Sequence, residues 1–215
     1  MQRTLKNCSW RKVLLVSAHA DDAFMGAGGF AFKLKGEGAE LYHVVFTLSE
    51  KDNGVGFTAD ELKGELDHSN ILLNVKFAKV CRLPVHFLHV HGHTVRKTLE
   101  QIRGGFTPDL VLMPSLTDAH QDHKAVAKET IRVFRGKETV LSYELLRNSV
   151  SAFKPTVFVD ISSTLAEKLA VITCFKTQVK RPYMNPENFK ALATIRGAQI
   201  GVKYAEAFEA VKMVL

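Results

Sequence analysis

The chain has 215 residues, of which 46% are hydrophobic and 24% are charged, and its formal net charge is +7. This balance excludes wholesale disorder, and no apolar run approaches the roughly 18 residues that would span a membrane. The N-terminus lacks the apolar segment of a signal peptide, the three cysteines form no CxxC pair, and the scattered basic residues lack the interleaved aromatics of a nucleic-acid site. We therefore expect a cytoplasmic protein with a single domain over residues 1–215, no nucleic-acid partner and no membrane span.

The first half of the chain predicts short buried strands that alternate with helices. The strand predicted first, 12–17, is a short apolar run bounded by polar residues, and the helix predicted over 58–73 has apolar residues at helical spacing. Thr58, followed three residues later by Glu61, fits a capping box. We predict strands over 12–17, 40–48, 76–80 and 85–89, helices over 26–34, 58–73 and 95–103, and a polar loop over 49–57.

The second half continues the same alternation. Further strands are predicted over 109–113, 139–143 and 156–161, with a polar loop over 114–123 and a helix over 124–134. Ser162 or Ser163 could cap a helix that reaches about residue 177, and the tail from 186 to 214 is predicted to be mostly helical. Strands separated by helices of this length indicate βαβ crossovers. The sequence therefore predicts an α/β fold, with a Rossmann-like, mainly parallel sheet and helices on both faces.

Two polar clusters follow buried strands, one after 12–17 and the other after 109–113. Sites in open α/β sheets form beyond the carboxyl ends of strands, so the two clusters can converge. Each contains a pair of residues spaced by three, which share one face of a helical turn. Two histidines and one carboxylate are a recurring ligand set of catalytic zinc, and a further carboxylate beside them is available as a base. In chain order, the clusters consist of His19, Asp21, Asp22, His120, Asp122 and His123.

Each of these residues also has an ordinary structural explanation. Asp22 could be only the N-cap of a helix, and loop histidines are more often surface residues than ligands. The run His89-Val90-His91-Gly92-His93 alternates, so its histidines would point to opposite faces of a strand. The combination of two clusters, both after buried strands, favours a metal-dependent hydrolase but does not specify its substrate.

At these residues the sequence resembles the PIG-L/LmbE-like zinc de-N-acetylases, which remove acetyl groups from N-acetylglucosamine-type sugars. The family signature, AHPDD after the first strand and HxDH further on, stands here as Ala18-His19-Ala20-Asp21-Asp22 and His120-Gln121-Asp122-His123. The resemblance implies an LmbE-like version of the predicted fold. It extends from residue 12 to 208 and includes Thr47-Leu48-Ser49-Glu50, Glu65, Leu73, the segment 155–161, Lys168, Gln178, Arg196-Gly197 and the segment 205–208.

The resemblance implies a zinc site and a small-molecule substrate. His19, Asp22 and His123 would hold Zn²⁺, with Fe²⁺ as the alternative divalent metal. The substrate would be an N-acetylated sugar conjugate, and a homo-oligomer is possible.

The resemblance also implies the catalytic residues. Asp21 would be the general base. His120, oriented by Asp122, would stabilise the oxyanion or protonate the leaving amine. Because a nearby carboxylate favours imidazolium, we expect His120 to be protonated.

The chain departs from the family pattern at four positions. Ala20 replaces the usual proline, and Ser49 replaces a glycine. Where the family often has an arginine that grips the sugar, Lys63 is the nearest basic residue, and lysine lacks the bidentate fork of arginine. Asn74 also replaces a glycine, but asparagine tolerates positive φ, so we expect the helix C-cap to survive.

The sequence leaves the aglycone and two other functions open. Arg147, Arg181 and Arg196 could bind an anionic aglycone or could be solvated surface charges. The same site could instead cleave another amide, such as a thiol conjugate. It could also belong to a metal-bearing sugar-binding module without turnover, but Asp21 disfavours that function because holding a metal does not require it.

Overall fold

Seven strands and six α-helices alternate along residues 10–50, 57–149 and 153–214, which are the residues that the structure, a computed structural model, describes. The strands are β1 (Lys12–Ser17), β2 (Glu40–Val45), β3 (Phe77–Val80), β4 (Leu110–Pro114), β5 (Thr139–Tyr143), β6 (Val157–Asp160) and β7 (Ala205–Lys212). The helices are α1 (Asp22–Gly36), α2 (Ala59–Leu72), α3 (Gly92–Phe106), α4 (Gln121–Val133), α5 (Leu165–Ile172) and α6 (Pro186–Ile200). Two short 3₁₀ helices, Lys176–Gln178 and Pro182–Met184, lie between α5 and α6.

The strands form one mixed sheet in the order β3-β2-β1-β4-β5-β7-β6. The five strands from β3 to β5 are parallel, whereas β7 is antiparallel to both of its neighbours, β5 and β6. The predicted α/β fold with a mainly parallel sheet is confirmed.

The apolar run of β1 is buried on both of its faces. Val13 and Leu15 pack in one core with residues of α1 and α2, and Leu14 and Val16 pack in a second core with residues of α3 and α4. A parallel strand covered by helices on both sides has a nearly continuous hydrophobic sequence, which explains the pattern of this segment. The helices therefore cover both faces of the sheet, as predicted.

The strand predicted over 85–89 is wrong, because this segment forms turns that lead into α3. The backbone N–H groups of His86 and Leu88 donate to the carboxylate of Asp122, at 2.7 and 3.1 Å. They are thereby satisfied without a neighbouring strand. The histidines of the 89–93 run consequently lie at the start of α3 and not on the two faces of a strand.

The helical tail predicted over 186–214 is wrong in its last part, because helix α6 ends at Ile200 and strand β7 follows. The carboxylate of Glu206, on β7, is buried with the ammonium group of Lys168 at 2.7 Å and accepts the backbone N–H groups of Gly29 and Phe30 in α1. Pairing with β5 and β6 and this buried ion pair override the helix propensity of Ala, Glu and Lys.

Several predicted boundaries also move. Helix α5 ends at Ile172 and not near 177, and its N-cap is Thr164. Helices α1 and α4 begin earlier than predicted, at Asp22 and Gln121, which places the two polar clusters at their N-terminal ends. The capping box of Thr58 and Glu61 is present, and Asn74 has φ 55°, as expected for the end of α2.

Most of the loop predicted over 49–57 lies outside the described residues. Within the described ranges, no helix combines the length and the apolar character needed to cross a membrane.

Candidate active site

The two polar clusters meet between the carboxyl ends of β1 and β4. These neighbouring parallel strands lie near the middle of the sheet, and the helices that follow them, α1 and α4, pack in the two different cores. The chain thus leaves β1 toward one face of the sheet and β4 toward the other. The crevice between the two connections is the place where sites form in open α/β sheets. A ring nitrogen of His19, a ring nitrogen of His123 and the carboxylate of Asp22 converge in this crevice.

The donor atoms of His19, Asp22 and His123 have the spacing of a metal site. Nδ1 of His19 lies 2.9 Å from Nε2 of His123. The carboxylate oxygens of Asp22 lie 3.5 Å from the first nitrogen and 3.3 Å from the second. Ligands of a tetrahedral zinc with bonds of about 2.0–2.1 Å are separated by roughly 3.3 Å. The expected ligands therefore fit a zinc ion in their spacing.

Two carboxylates outside this trio fix the hydrogens of the rings. Asp118 lies 2.8 Å from Nδ1 of His123, and Asp122 lies 3.4 Å from Nε2 of His19. Because a carboxylate only accepts, these two nitrogens carry the hydrogens, and the lone pairs of the neutral rings face each other. Such carboxylate–histidine pairs are typical of metal ligands. Two lone pairs and the Asp22 carboxylate thus converge on a point that suits a cation.

The electrostatics of the trio favour the same interpretation. Burial lowers the pKa of His19, but Asp22 and Asp122 outweigh it and raise this pKa to about 9. Burial also lowers the pKa of His123, but Asp22 and Asp118 outweigh this effect and raise the pKa to about 10. The carboxylates therefore draw positive charge into the pocket. Two protonated rings would set two N–H groups against each other at 2.9 Å, so a metal cation fits the geometry better than protons do.

Asp21 is a second carboxylate in the same crevice, 8% exposed and immediately before α1. Burial, followed by the charge of Asp22, raises the pKa of Asp21 to about 6. A carboxyl group that exchanges its proton near neutral pH suits general acid–base chemistry.

His120 presents an N–H group and not a positive charge. It is the N-cap of α4, and its Nδ1 accepts the backbone N–H of Asp122 at 3.1 Å, so Nε2 carries the hydrogen of the neutral ring. Burial, together with the neighbouring His19 and His123, lowers the pKa of His120 to about 4. The expected imidazolium is therefore wrong, because these effects outweigh the charge of Asp122.

The carboxylate of Asp122 also differs from the expected arrangement. In the described part of the chain, it pairs with His19 and accepts the backbone N–H groups of His86 and Leu88, and it does not pair with the ring of His120. Asp122 thus orients His19 and anchors the turn at 85–89.

His19, His120 and His123 also each place one donor atom within 4.8 Å of the others, so this set could hold a metal as well. His86, His120 and Asp122 form a second such group. In both sets, however, Nδ1 of His120 is already engaged by a backbone N–H. In the trio with Asp22, Oδ2 of Asp22 accepts the backbone N–H of His19 at 2.7 Å, but a carboxylate oxygen keeps a further lone pair for a metal, whereas a ring nitrogen has only one.

The crevice opens into a cleft of about 420 Å³. Its walls include five of the six predicted site residues, and the sixth, Asp122, is fully buried at their side. Arg147 and Arg181 line the cleft, whereas Arg196 donates twice to Glu144, at 2.6 and 2.9 Å. Lys63, the basic residue nearest to the family's arginine in sequence, pairs with Asp67 and does not line the cleft.

Sequence reasoning missed Asp118, which holds His123 and accepts the backbone N–H of His120 at 2.7 Å. It also missed Asn148, whose side chain lies 3.4 Å from Nδ1 of His123. The position of Asp118, two residues before His120 in the same polar loop, was the available signal. Asn148 is distant in sequence and carried none.

A family model described as PIG-L, GlcNAc-PI de-N-acetylase, matches residues 14–134, which include both polar clusters. The chain belongs to the PIG-L family. Its resemblance to this family, stated from the two motifs, is thereby confirmed.

Individual relatives of this PIG-L family chain cover nearly its whole length. It is 25% identical over 226 residues to diacetylchitobiose deacetylase of Thermococcus kodakarensis, across 91% of this chain and 81% of the relative. The solved N,N'-diacetylchitobiose deacetylase from Pyrococcus horikoshii is similar with a TM-score of 0.79 and 22% identity, covering 96% of this chain and 86% of the other. GalB, the 4-carboxy-2-hydroxymuconate hydratase from Pseudomonas putida KT2440, has a TM-score of 0.82 and 20% identity, with 95% and 98% covered. Because these two structures include a deacetylase and a hydratase, the fold alone does not specify the reaction.

Proposed function

We propose that this protein is a zinc-dependent hydrolase that removes the acetyl group from an N-acetylglucosamine-type sugar conjugate. The observation that carries the proposal is the convergence of two histidine lone pairs and the Asp22 carboxylate, with the carboxyl group of Asp21 beside them. Two imidazoles and one carboxylate suit zinc and also ferrous iron. When bound, zinc would supply a Lewis acid at the amide carbonyl and acidify a water molecule there.

Asp21 is the base in this proposal. Its carboxylate accepts a proton from the attacking water and passes it to the departing nitrogen, so that water and the amide become acetic acid and a free amine. A carboxyl group with a pKa of about 6 is able to hold and release that proton near neutral pH.

His120 stabilises the charge that develops on the carbonyl oxygen. Its Nε2–H group donates a hydrogen bond as a neutral ring, since Nδ1 is engaged by the backbone of Asp122. Asp118 and Asp122 act through the ligands His123 and His19, whose orientation they fix.

Replacing Asp21 by Asn tests the base. We expect the rate of amine release to fall by about 10²–10⁴-fold, as for the loss of a general base, while the zinc content stays at that of the wild type. Amine release from an N-acetylglucosamine conjugate and zinc by atomic absorption are the measurements. Turnover that persists in Asp21→Asn would contradict the assigned mechanism.

Replacing His123 and His120 one at a time distinguishes a metal ligand from a hydrogen-bond donor. His123→Ala should lower the zinc content, whereas His120→Ala should keep zinc and lose rate. If both variants lose zinc equally, the proposed division of roles is wrong. Sugar binding without amine release in the zinc-loaded wild type would instead support the binding-module alternative.

A further inference from the structure

We propose that Arg147 and Arg181 form a subsite for a negatively charged aglycone, so that the sugar conjugate carries a phosphate or carboxylate group next to Tyr183. This inference rests on the proposed function, because it names the class of substrate for the same cleft.

The two arginines meet at one aromatic side chain. Nη1 of Arg181 donates to the hydroxyl group of Tyr183 at 3.0 Å. The guanidinium group of Arg147 lies 5.0 Å from the centre of the same ring, within the range of a cation–π contact. Tyr183 thus holds two positive charges close together on the wall of the cleft.

Neither charge is neutralised by the described part of the protein. Arg103, Arg132 and Arg196 each form an ion pair with a glutamate, at 2.6, 2.9 and 2.6 Å. Within residues 10–50, 57–149 and 153–214, no such pair is found for Arg147 or Arg181. Like charges repel, and a guanidinium group offers a planar fork that matches phosphate and carboxylate oxygens. An anion between the two arginines would relieve the repulsion and satisfy both forks.

The subsite lies next to the reacting groups. Arg181 and Asp21 line the same cleft. The cleft, at about 420 Å³, falls within the roughly 300–1,000 Å³ of small-molecule sites. An anionic group held by the arginines would therefore lie in the same cleft as an acetamide at the metal site.

The test compares matched sugars that differ only in the charge of the aglycone. The zinc-loaded enzyme is assayed for amine release with methyl N-acetylglucosaminide, which is neutral, N-acetylglucosamine 1-phosphate, and the carboxymethyl glycoside of N-acetylglucosamine, each as both anomers. The two anionic compounds distinguish phosphate from carboxylate. We expect kcat/KM to be higher for at least one anionic compound than for the neutral one, mainly through a lower KM.

The variants Arg181→Gln and Arg147→Gln remove the charges one at a time. Because a hydrogen bond to a charged group is lost, we expect the ratio of kcat/KM for the anionic over the neutral sugar to fall by about 10- to 100-fold. Arg181→Lys should recover part of the ratio. Lys180→Gln is the matched control, since Lys180 is exposed and outside the cleft, and it should keep the wild-type ratio.

Equal kcat/KM for neutral and anionic sugars in the wild type would overturn the subsite while leaving the deacetylase function intact. An equal loss for both sugars in Arg181→Gln would also overturn it. If no sugar releases amine, the proposed function fails, and calorimetric binding of N-acetylglucosamine 1-phosphate to the zinc-loaded protein then decides the subsite. Binding that weakens in Arg181→Gln but not in Lys180→Gln supports it, and equal binding in all three proteins rejects it.

Discussion

His19 and His123 differ from His120 in the partners of their rings. Each has one nitrogen held by a carboxylate and the other turned toward Asp22. His120 has the reverse arrangement, with Nδ1 accepting a backbone N–H. The motifs place these residues together, but only the structure distinguishes a nitrogen that presents a lone pair from one that presents a hydrogen.

His43 is a buried histidine behind the site. Its Nε2 lies 2.9 Å from the hydroxyl of Ser17, and its Nδ1 lies 2.8 Å from Oδ1 of Asn70. The hydroxyl of Ser17 also accepts the backbone N–H of Ala23, in the first turn of α1. This network connects β1, β2 and α2 to the start of the helix that carries Asp22.

The network predicts a pH-dependent stability. Burial lowers the pKa of His43 to about 4, whereas the unfolded chain titrates near 6.5. Below pH 6.5 the unfolded chain therefore binds a proton that the folded protein does not. The free energy of unfolding falls as the pH drops through this window, by about 3 kcal/mol in total at roughly 1.4 kcal/mol per unit.

His43→Gln should reduce this pH dependence, and His68→Gln, at an exposed position on α2, should not. Urea unfolding of the three proteins between pH 4.5 and pH 7 checks the prediction. An identical loss of stability with acid in the wild type and in His43→Gln would exclude His43 as its source.

At the scale of the elements, α1 approaches the sheet through a glycine. A Cβ at Gly26 would overlap the ring of Tyr143, whose hydroxyl donates to the carbonyl oxygen of Val16 at 2.8 Å. Gly36, near the end of the same helix, has no atom within 4 Å of such a Cβ. The two glycines therefore lie in the same helix, but only Gly26 is closely packed against a neighbouring side chain.

Gly26→Ala should lower the free energy of unfolding by about 1–3 kcal/mol, because it overpacks a buried contact. Gly36→Ala should leave it unchanged or raise it by up to about 1 kcal/mol, since alanine has the higher helix propensity. Urea unfolding of both variants makes the comparison. A Gly26→Ala protein as stable as Gly36→Ala would show that the contact with Tyr143 is readily relaxed.

The central strands and the site could be predicted from the sequence for physical reasons. Strands β1 and β4 are covered on both faces, so their apolar runs are nearly continuous, and the polar residues that follow them mark their ends. Strand β7 could not be predicted, because its Ala and Glu residues favour a helix locally and only pairing with β5 and β6 makes it a strand. The turns at 85–89 depend on Asp122, which is distant in sequence.

At the scale of the whole molecule, two parts of the chain contribute differently to the cleft. The proposed ligands His19 and His123 are separated by 104 residues and meet because β1 and β4 are neighbours in the sheet. Both lie within the segment 14–134 that matches the family model, whereas Arg147 and Arg181 follow it. In the two proposals, the first part of the chain therefore carries the reaction and the second part selects the aglycone.

The proposed deacetylase function is best tested by measuring the release of free amine from a panel of N-acetylglucosamine conjugates, with and without a chelator. We expect release from at least one conjugate, loss of that release when the chelator removes the metal, and its return when zinc is added back. Release that the chelator does not affect, or no release from any conjugate by protein that still holds zinc, would contradict it.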